Sequence, residues 1–169
     1  MKINQINEMS LDIFINNFKN VFENTPLISV SAEKLRPFEN KNHLIKTFLN
    51  EFDKLNTNSK KNIIKNHPDL GKRFNINNDL TEMSKNEQKN AGLDNCTEEE
   101  FSLFNQLNNQ FKSKFGLPFI FAVKGKNKSI IIEEFKRRLQ NDNIEKELEE
   151  SIRQVKQIAN FRLNEIVDG

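Results

Sequence analysis

A chain of 169 residues, 36% of them apolar and 15 of them Phe, carries enough hydrophobic surface to build one core without disulfides or metal. Its 26 basic and 24 acidic residues nearly cancel, leaving a net charge of +2, a field too weak to argue for nucleic acid or an anionic membrane as partner. One cysteine, Cys96, and two histidines, His43 and His67, exclude a disulfide framework and a His/Cys metal cluster.

The opening MKINQINEMS has no apolar signal core, and no later run approaches the ~20 apolar residues of a membrane span. The final VDG is not a peroxisomal address, so a cytoplasmic protein is expected. Ser10 caps a predicted helix whose apolar residues Leu11, Phe14, Ile15, Phe18, Val21 and Phe22 recur at three and four, up to the break at Asn24–Pro26. A second period runs through Leu44, Ile45, Phe48, Leu49, Phe52 and Leu55. A short helix around Ile63 and Ile64 must stop before His67, because Pro68 disfavours helix at the residue preceding it.

Gly71 to Leu80 reads as irregular. Ser84 with Glu87 has the S-x-x-E spacing of a capping box opening a short helix, and Thr97 with Glu100 repeats the device. The helix after Thr97 carries Phe101, Phe104, Leu107, Phe111 and Phe115 on one stripe and closes at Gly116. LPFIFAVKG, Leu117 to Gly125, is apolar, bounded by glycines and too short for a typical helix, so it is expected to be extended or turn-like, and buried. Two helices finish the chain, one through Ile130 to Leu139 and a long one from Ile144 to Val167 with a stripe of Leu148, Ile152, Val155, Ala159 and Ile166. No glycine-rich phosphate loop, strand–helix alternation or repeat is visible, which argues against nucleotide-binding α/β folds. The expectation is all-α, a single helical domain over 1–169 with about seven to nine helices.

Three residues stand out chemically. Arg162 falls on the apolar stripe of the last helix, where a guanidinium needs a partner: an acid in a buried ion pair, or an anionic or carbonyl-rich ligand matched to its planar fork of donors. His67 and Glu87 flank helix boundaries in the turn-rich middle of the chain. Spacing alone favours plainer roles, His67 as a satisfied surface or capping imidazole and Glu87 as half of a capping box with Ser84. His43, inside a helical period, reads as structural.

Four strings in order, NHPDLGKR (Asn66–Arg73), LTEMSKNEQKNAGLDNCTEEEF (Leu80–Phe101), FGLPFIFAVKG (Phe115–Gly125) and EEFKRRLQND (Glu133–Asp142), resemble the OHCU decarboxylase family. RPF at Arg36–Phe38 and FRLNEIV at Phe161–Val167 extend the resemblance over nearly the whole chain. One departure is HPDLG where many relatives have HPDLAG. The resemblance implies an all-helical, cofactor-independent, usually dimeric enzyme that converts 2-oxo-4-hydroxy-4-carboxy-5-ureidoimidazoline to (S)-allantoin, with a small-molecule partner and neither nucleic acid, membrane nor metal. It implies His67 and Glu87 as catalytic residues. As substrate-binding residues it implies Pro68, Ser84, Lys85, Asn86 and Gln88, then Phe119, Ile120, Phe121, Ala122 and Val123, and Arg162 near the C-terminus.

That substrate bears a carboxylate and a hydroxyl on one ring carbon, beside a ring carbon doubly bonded to nitrogen. The C=N unit is a built-in electron sink, so no pyridoxal phosphate or thiamine is expected. An imidazole, ordinarily titrating near 6.5, suits proton exchange with the hydroxyl at His67, while Glu87 suits the ring and ureido N–H groups. Two other classes remain at this point: a helical binding module in which Arg162 is purely structural, and an enzyme acting on a different ureido compound.

Overall fold

The computed structural model describes residues 1–72 and 80–169, and every regular element among them is an α-helix: α1 (Ile3–Glu8), α2 (Leu11–Phe18), α3 (Pro26–Glu33), α4 (Lys41–Asp53), α5 (Thr57–Asn66), α6 (Glu82–Asn90), α7 (Glu98–Phe115), α8 (Lys128–Leu139) and α9 (Ile144–Ile166). The helices fall into two units, a terminal one of residues 1–66 and 156–169 and a central one of residues 67–155. The expected irregular stretch between Gly71 and Leu80, with Arg73 of the first string, lies largely outside the described residues. No helix among the described residues is long and apolar enough to cross a membrane.

In the terminal unit α2 packs on α3, and α3 on α4. Ser10 caps α2 as expected, its hydroxyl accepting from the Ile13 amide, and Asn40 caps α4 in the same way through His43 N–H. The core is aromatic: Phe14 lies 4.6 Å from Phe18, Phe18 5.4 Å from Phe48, and Phe22 stacks on Phe52 at 5.0 Å between ring centroids. Offset pairs of this kind add about 0.5–1.5 kcal/mol each beyond area burial. The predicted first helix ends four residues early, at Phe18, because the chain turns there and puts Asn24 at φ 48°; Val21 and Phe22 still reach the core from the turn.

α1 and α3 escaped the periodicity reading, one having six residues and the other beginning at a proline that also reads as a breaker. The RPF string is a local fastener. Arg36 donates to the carbonyls of Ile6, Asn7 and Met9 at the end of α1, and the Asn7 amide exchanges two hydrogen bonds with the Phe38 backbone.

In the central unit α7 packs on α8. Leu70, Ala91, Leu93, Phe104, Leu107, Phe111, Phe119, Ile131 and Phe135 form one apolar cluster. The Thr97–Glu100 capping box and the left-handed Gly116 at φ 67° bound α7 as the sequence indicates. The α6 cap is a correction: Thr81, not Ser84, is the N-cap, accepting from the Ser84 amide at 3.3 Å. The cap sits three residues early, which makes Ser84 an interior helix residue with a buried side chain.

The stripe of α9 is also rotated relative to its apolar period in this unit. Glu147, Ser151 and Gln154 are buried, while Leu148 and Ile152 are half-exposed. The reason is Arg138 of α8, which is buried and whose guanidinium bonds both Glu147 carboxylate oxygens and the Ser151 hydroxyl. A buried guanidinium demands that face of α9, and the demand overrides the hydrophobic period.

Candidate functional site

His67 is the first residue after α5 and opens the central unit. Pro68 ends the helix there, as expected, and the imidazole is 8% exposed with its Nε2 sealed from water. The residues that follow are tied to two helices. From α6, Gln88 donates through Nε2 to the Asp69 carbonyl at 3.4 Å and accepts at Oε1 from the Gly71 amide at 3.1 Å. From α7, Asn108 donates to the Leu70 carbonyl at 2.9 Å, and Lys112 reaches the Asp69 carboxylate at 2.6 Å; Lys72 shares that carboxylate at 2.8 Å.

Gly71 completes the turn at φ 71°. A Cβ built there would lie 2.5 Å from Cγ of Phe104, so the left-handed backbone and the close approach both require glycine.

On α6, Ser84 and Gln88 are four residues apart on one face, both 3% exposed, with Glu87 half-buried beside them. Gln88 is therefore already engaged: its amide bridges the 69–71 backbone. Lys85 and Asn86 point elsewhere, Lys85 pairing with Glu82 at 2.8 Å and Asn86 lying exposed.

The 117–123 segment is non-helical, and most of it is buried. Phe119 stacks on Phe135 at 3.7 Å with an edge contact to Phe111, and the Arg138 guanidinium sits 4.6 Å over its ring. Its ring thus belongs to the core, and what the segment can offer a ligand is chiefly backbone. Two of those backbone groups are held by the protein itself: Arg138 donates to the Ile120 carbonyl, and the Ala122 amide donates to Gln154 Oε1 at 2.9 Å. Phe121 is half-buried, while Ala122 and Val123 are buried.

The structure thus gathers the His67 segment, α6 and the 119–123 segment around one apolar cluster, to which Leu70, Ala91, Phe119 and Val123 all belong. Arg162 is in the terminal unit. It is buried, as its stripe position indicates, pairing with Glu23 at 2.8 Å and donating to the Asn20 carbonyl at 2.7 Å. The sequence held no spacing signal for Glu23, which sits in the turn after α2.

Asp69, Asn108, Lys112, Arg138, Glu147 and Gln154 were not singled out from the sequence. Asn108 could have been. It lies four residues after Phe104 and three before Phe111, a polar residue on an apolar stripe, the same signal that marked Arg162.

The sequence profile of the OHCU decarboxylase family matches residues 7–164. The 2-oxo-4-hydroxy-4-carboxy-5-ureidoimidazoline decarboxylase of Xenopus laevis is 36% identical over 163 residues, covering 96% of this chain and 93% of its own length. The corresponding mouse protein is 32% identical, covering 99% and 93%. A uric acid degradation bifunctional protein of Bacillus sp. (strain TB-90) is 38% identical over 98% of this chain, which spans only 32% of that longer protein. Among solved structures, an (S)-allantoin synthase superposes with a TM-score of 0.78 over 99% of this chain and 55% of its own at 20% identity. An OHCU decarboxylase crystallised in the presence of (S)-allantoin superposes at 0.71 over 88% of this chain and 96% of its own at 19% identity. At those identities the superpositions speak for the fold, and the sequence profile together with the full-length relatives settles the family: this chain belongs to the OHCU decarboxylases.

Proposed function

We propose that the chain, residues 1–169 acting as one catalytic domain, removes the carboxylate of 2-oxo-4-hydroxy-4-carboxy-5-ureidoimidazoline as carbon dioxide and yields (S)-allantoin, a step of urate degradation. The observation that carries this reading is the tethering of the His67 segment to the Ser84–Gln88 face of α6 through Gln88. Two separate motif strings, 17 and 19 residues apart at the bonded positions, are joined there by polar bonds that packing alone does not require.

The bond between the ring carbon and its carboxylate breaks, and the electron pair moves into the neighbouring C=N unit. Carbon dioxide leaves, and a proton is delivered to one face of the enol-like intermediate. His67 exchanges the hydroxyl proton and faces the departing carboxylate; Glu87 holds ring or ureido N–H groups. The Ser84 hydroxyl and the remaining donor and acceptor capacity of Gln88 on one side, and the 119–123 backbone groups not already held by Arg138 and Gln154 on the other, supply donors and acceptors to the ureido and ring carbonyl edges, with Pro68, Lys85 and Asn86 flanking them. Burial of the imidazole supports a water-poor site, which favours turning a charged carboxylate into a neutral gas. On the family pattern, Arg162 contributes to substrate binding, its charge shared with Glu23. By the same pattern the enzyme is a homodimer without cofactor; its location is inferred to be cytoplasmic, a peroxisomal one being the alternative that the family also allows.

The test is decarboxylation of freshly generated substrate, followed by its loss of ultraviolet absorbance. Wild type should outpace spontaneous decay, Glu87→Ala should lose about 100-fold or more, and Arg162→Met should raise KM if it binds substrate. A wild-type rate equal to spontaneous decay would leave a helical binding module as the better account.

A further inference from the structure

Asn108 is 2% exposed in the middle of α7, among Leu70, Phe104, Leu107 and Phe111 of the apolar cluster. Its Nδ2 donates to the Leu70 carbonyl and to the Phe104 carbonyl of its own helix, both at 2.9 Å, and its Oδ1 accepts no hydrogen bond among the described residues. A buried amide with an orphaned acceptor is a poor way to fill a core position, and a leucine would fill the same space without that penalty. The donor half of the amide has one non-local task, which is to grip the backbone three residues after His67.

One turn further along α7, Lys112 grips the side chain of Asp69 at 2.6 Å. Two successive turns of one helix therefore hold the two central residues of the HPDLG segment, while Gly71, wedged against Phe104 of the same helix, allows the approach.

We propose that Asn108 and Lys112 are positioning residues for the His67 imidazole: α7, which contributes no residue to the substrate set, fixes the segment that carries the histidine. The functional part of this inference rests on His67 as the proton-handling group. The positioning itself does not. A loosened tether lets the ring drift by a fraction of an ångström to an ångström, enough to lower turnover while substrate binding persists.

The experiment uses the full chain and the fact that it has only two histidines, His43 and His67. Imidazole 15N–1H spectra are recorded for wild type, Asn108→Leu and Lys112→Met, beside thermal unfolding and steady-state kinetics. Expected are shifted or broadened His67 signals in both variants with His43 unmoved, and kcat lower by about tenfold with KM changed far less. Introducing either substitution into the His67→Asn background should cost almost nothing further, because the residue acts through His67. Asn108→Leu should lower Tm by only a few degrees, since the two donated bonds that are lost, with the Leu70 carbonyl left without that partner, are partly offset by the removed orphan acceptor. If Asn108→Leu does not fold, Lys112→Met, at a half-exposed side chain, decides alone. Unmoved His67 signals in the folded variants, or kinetic losses that multiply with that of His67→Asn, would overturn the proposal. An inactive wild type would count against the decarboxylase reading, and the spectra would still test the tether.

Discussion

Two irregular stretches of the central unit carry the family strings, and they are held in different ways. Residues 117–123 are organised around one buried charge, Arg138, which spans the Phe119 ring, the Ile120 carbonyl and Glu147, with a bond from the Ala122 amide to Gln154 and the stack of Phe119 on Phe135 beside it. Residues 67–72 are fixed by several smaller grips from two helices: the Gln88 amide, the Asn108 amide, the Lys112–Asp69 pair and the Gly71 contact with Phe104. A segment centred on one desolvated ion pair is rigid but loses much of its support at once. One held by several smaller grips, two amides and an ion pair at a half-exposed lysine among them, loses its geometry by degrees, which suits a segment whose histidine must be placed accurately.

Breaking the central ion pair should have the largest effect. Arg138→Met leaves Glu147 buried without its counter-charge and should destabilise the chain by about 3–5 kcal/mol, read from urea unfolding. If replacing both partners, Arg138→Met with Glu147→Leu, recovers most of that loss, the pair acts chiefly to neutralise itself; if activity stays low in the recovered double variant, its grip on the Ile120 carbonyl is what function uses.

Gly71→Ala should come next, at about 2–4 kcal/mol from left-handed strain and the clash with Phe104 together. A cost of a few tenths would mean that the loop relaxes without strain and that the distributed-grip description is wrong.

The smallest effect lies away from both stretches. A hydrogen bond from Lys128 holds the half-exposed Glu100 carboxyl below the usual carboxylate range. A lowered folded pKa contributes stability above the ordinary carboxylate pKa and loses it as pH falls through the lowered value, so Lys128→Ala should flatten acid destabilisation slightly across that range. A large change in acid stability would show that the bond is more than a surface contact.

The helices were legible in the sequence wherever an apolar period met a cap: Ser10, the Thr97–Glu100 box and Gly116 marked real ends. Errors arose where a polar residue governed the local structure. Ser84 looked like a cap through its spacing to Glu87, yet Thr81 caps the helix one turn earlier, and α9 turned Glu147 and Ser151 inward to meet Arg138 rather than follow its leucines.

The site strings were legible through resemblance, and Arg162 through its place on an apolar stripe. Glu23 and Lys112 were not, because their meaning lies in partners far along the chain, 139 residues away for Glu23 and Arg162 by their numbering, and Glu147 was not because its partner Arg138 lies on a different helix. Spacing on one helix carries no record of such partners.

The most direct test of the central claim is the circular dichroism signal of allantoin as it forms from freshly prepared urate-oxidation product, with wild type compared against His67→Asn and Glu87→Ala proteins shown to be folded. The account predicts rapid build-up of one enantiomer with wild type and only slow, racemic, optically silent product with both variants. A wild-type trace no faster than spontaneous decay, or either variant forming (S)-allantoin at the wild-type rate, would contradict it.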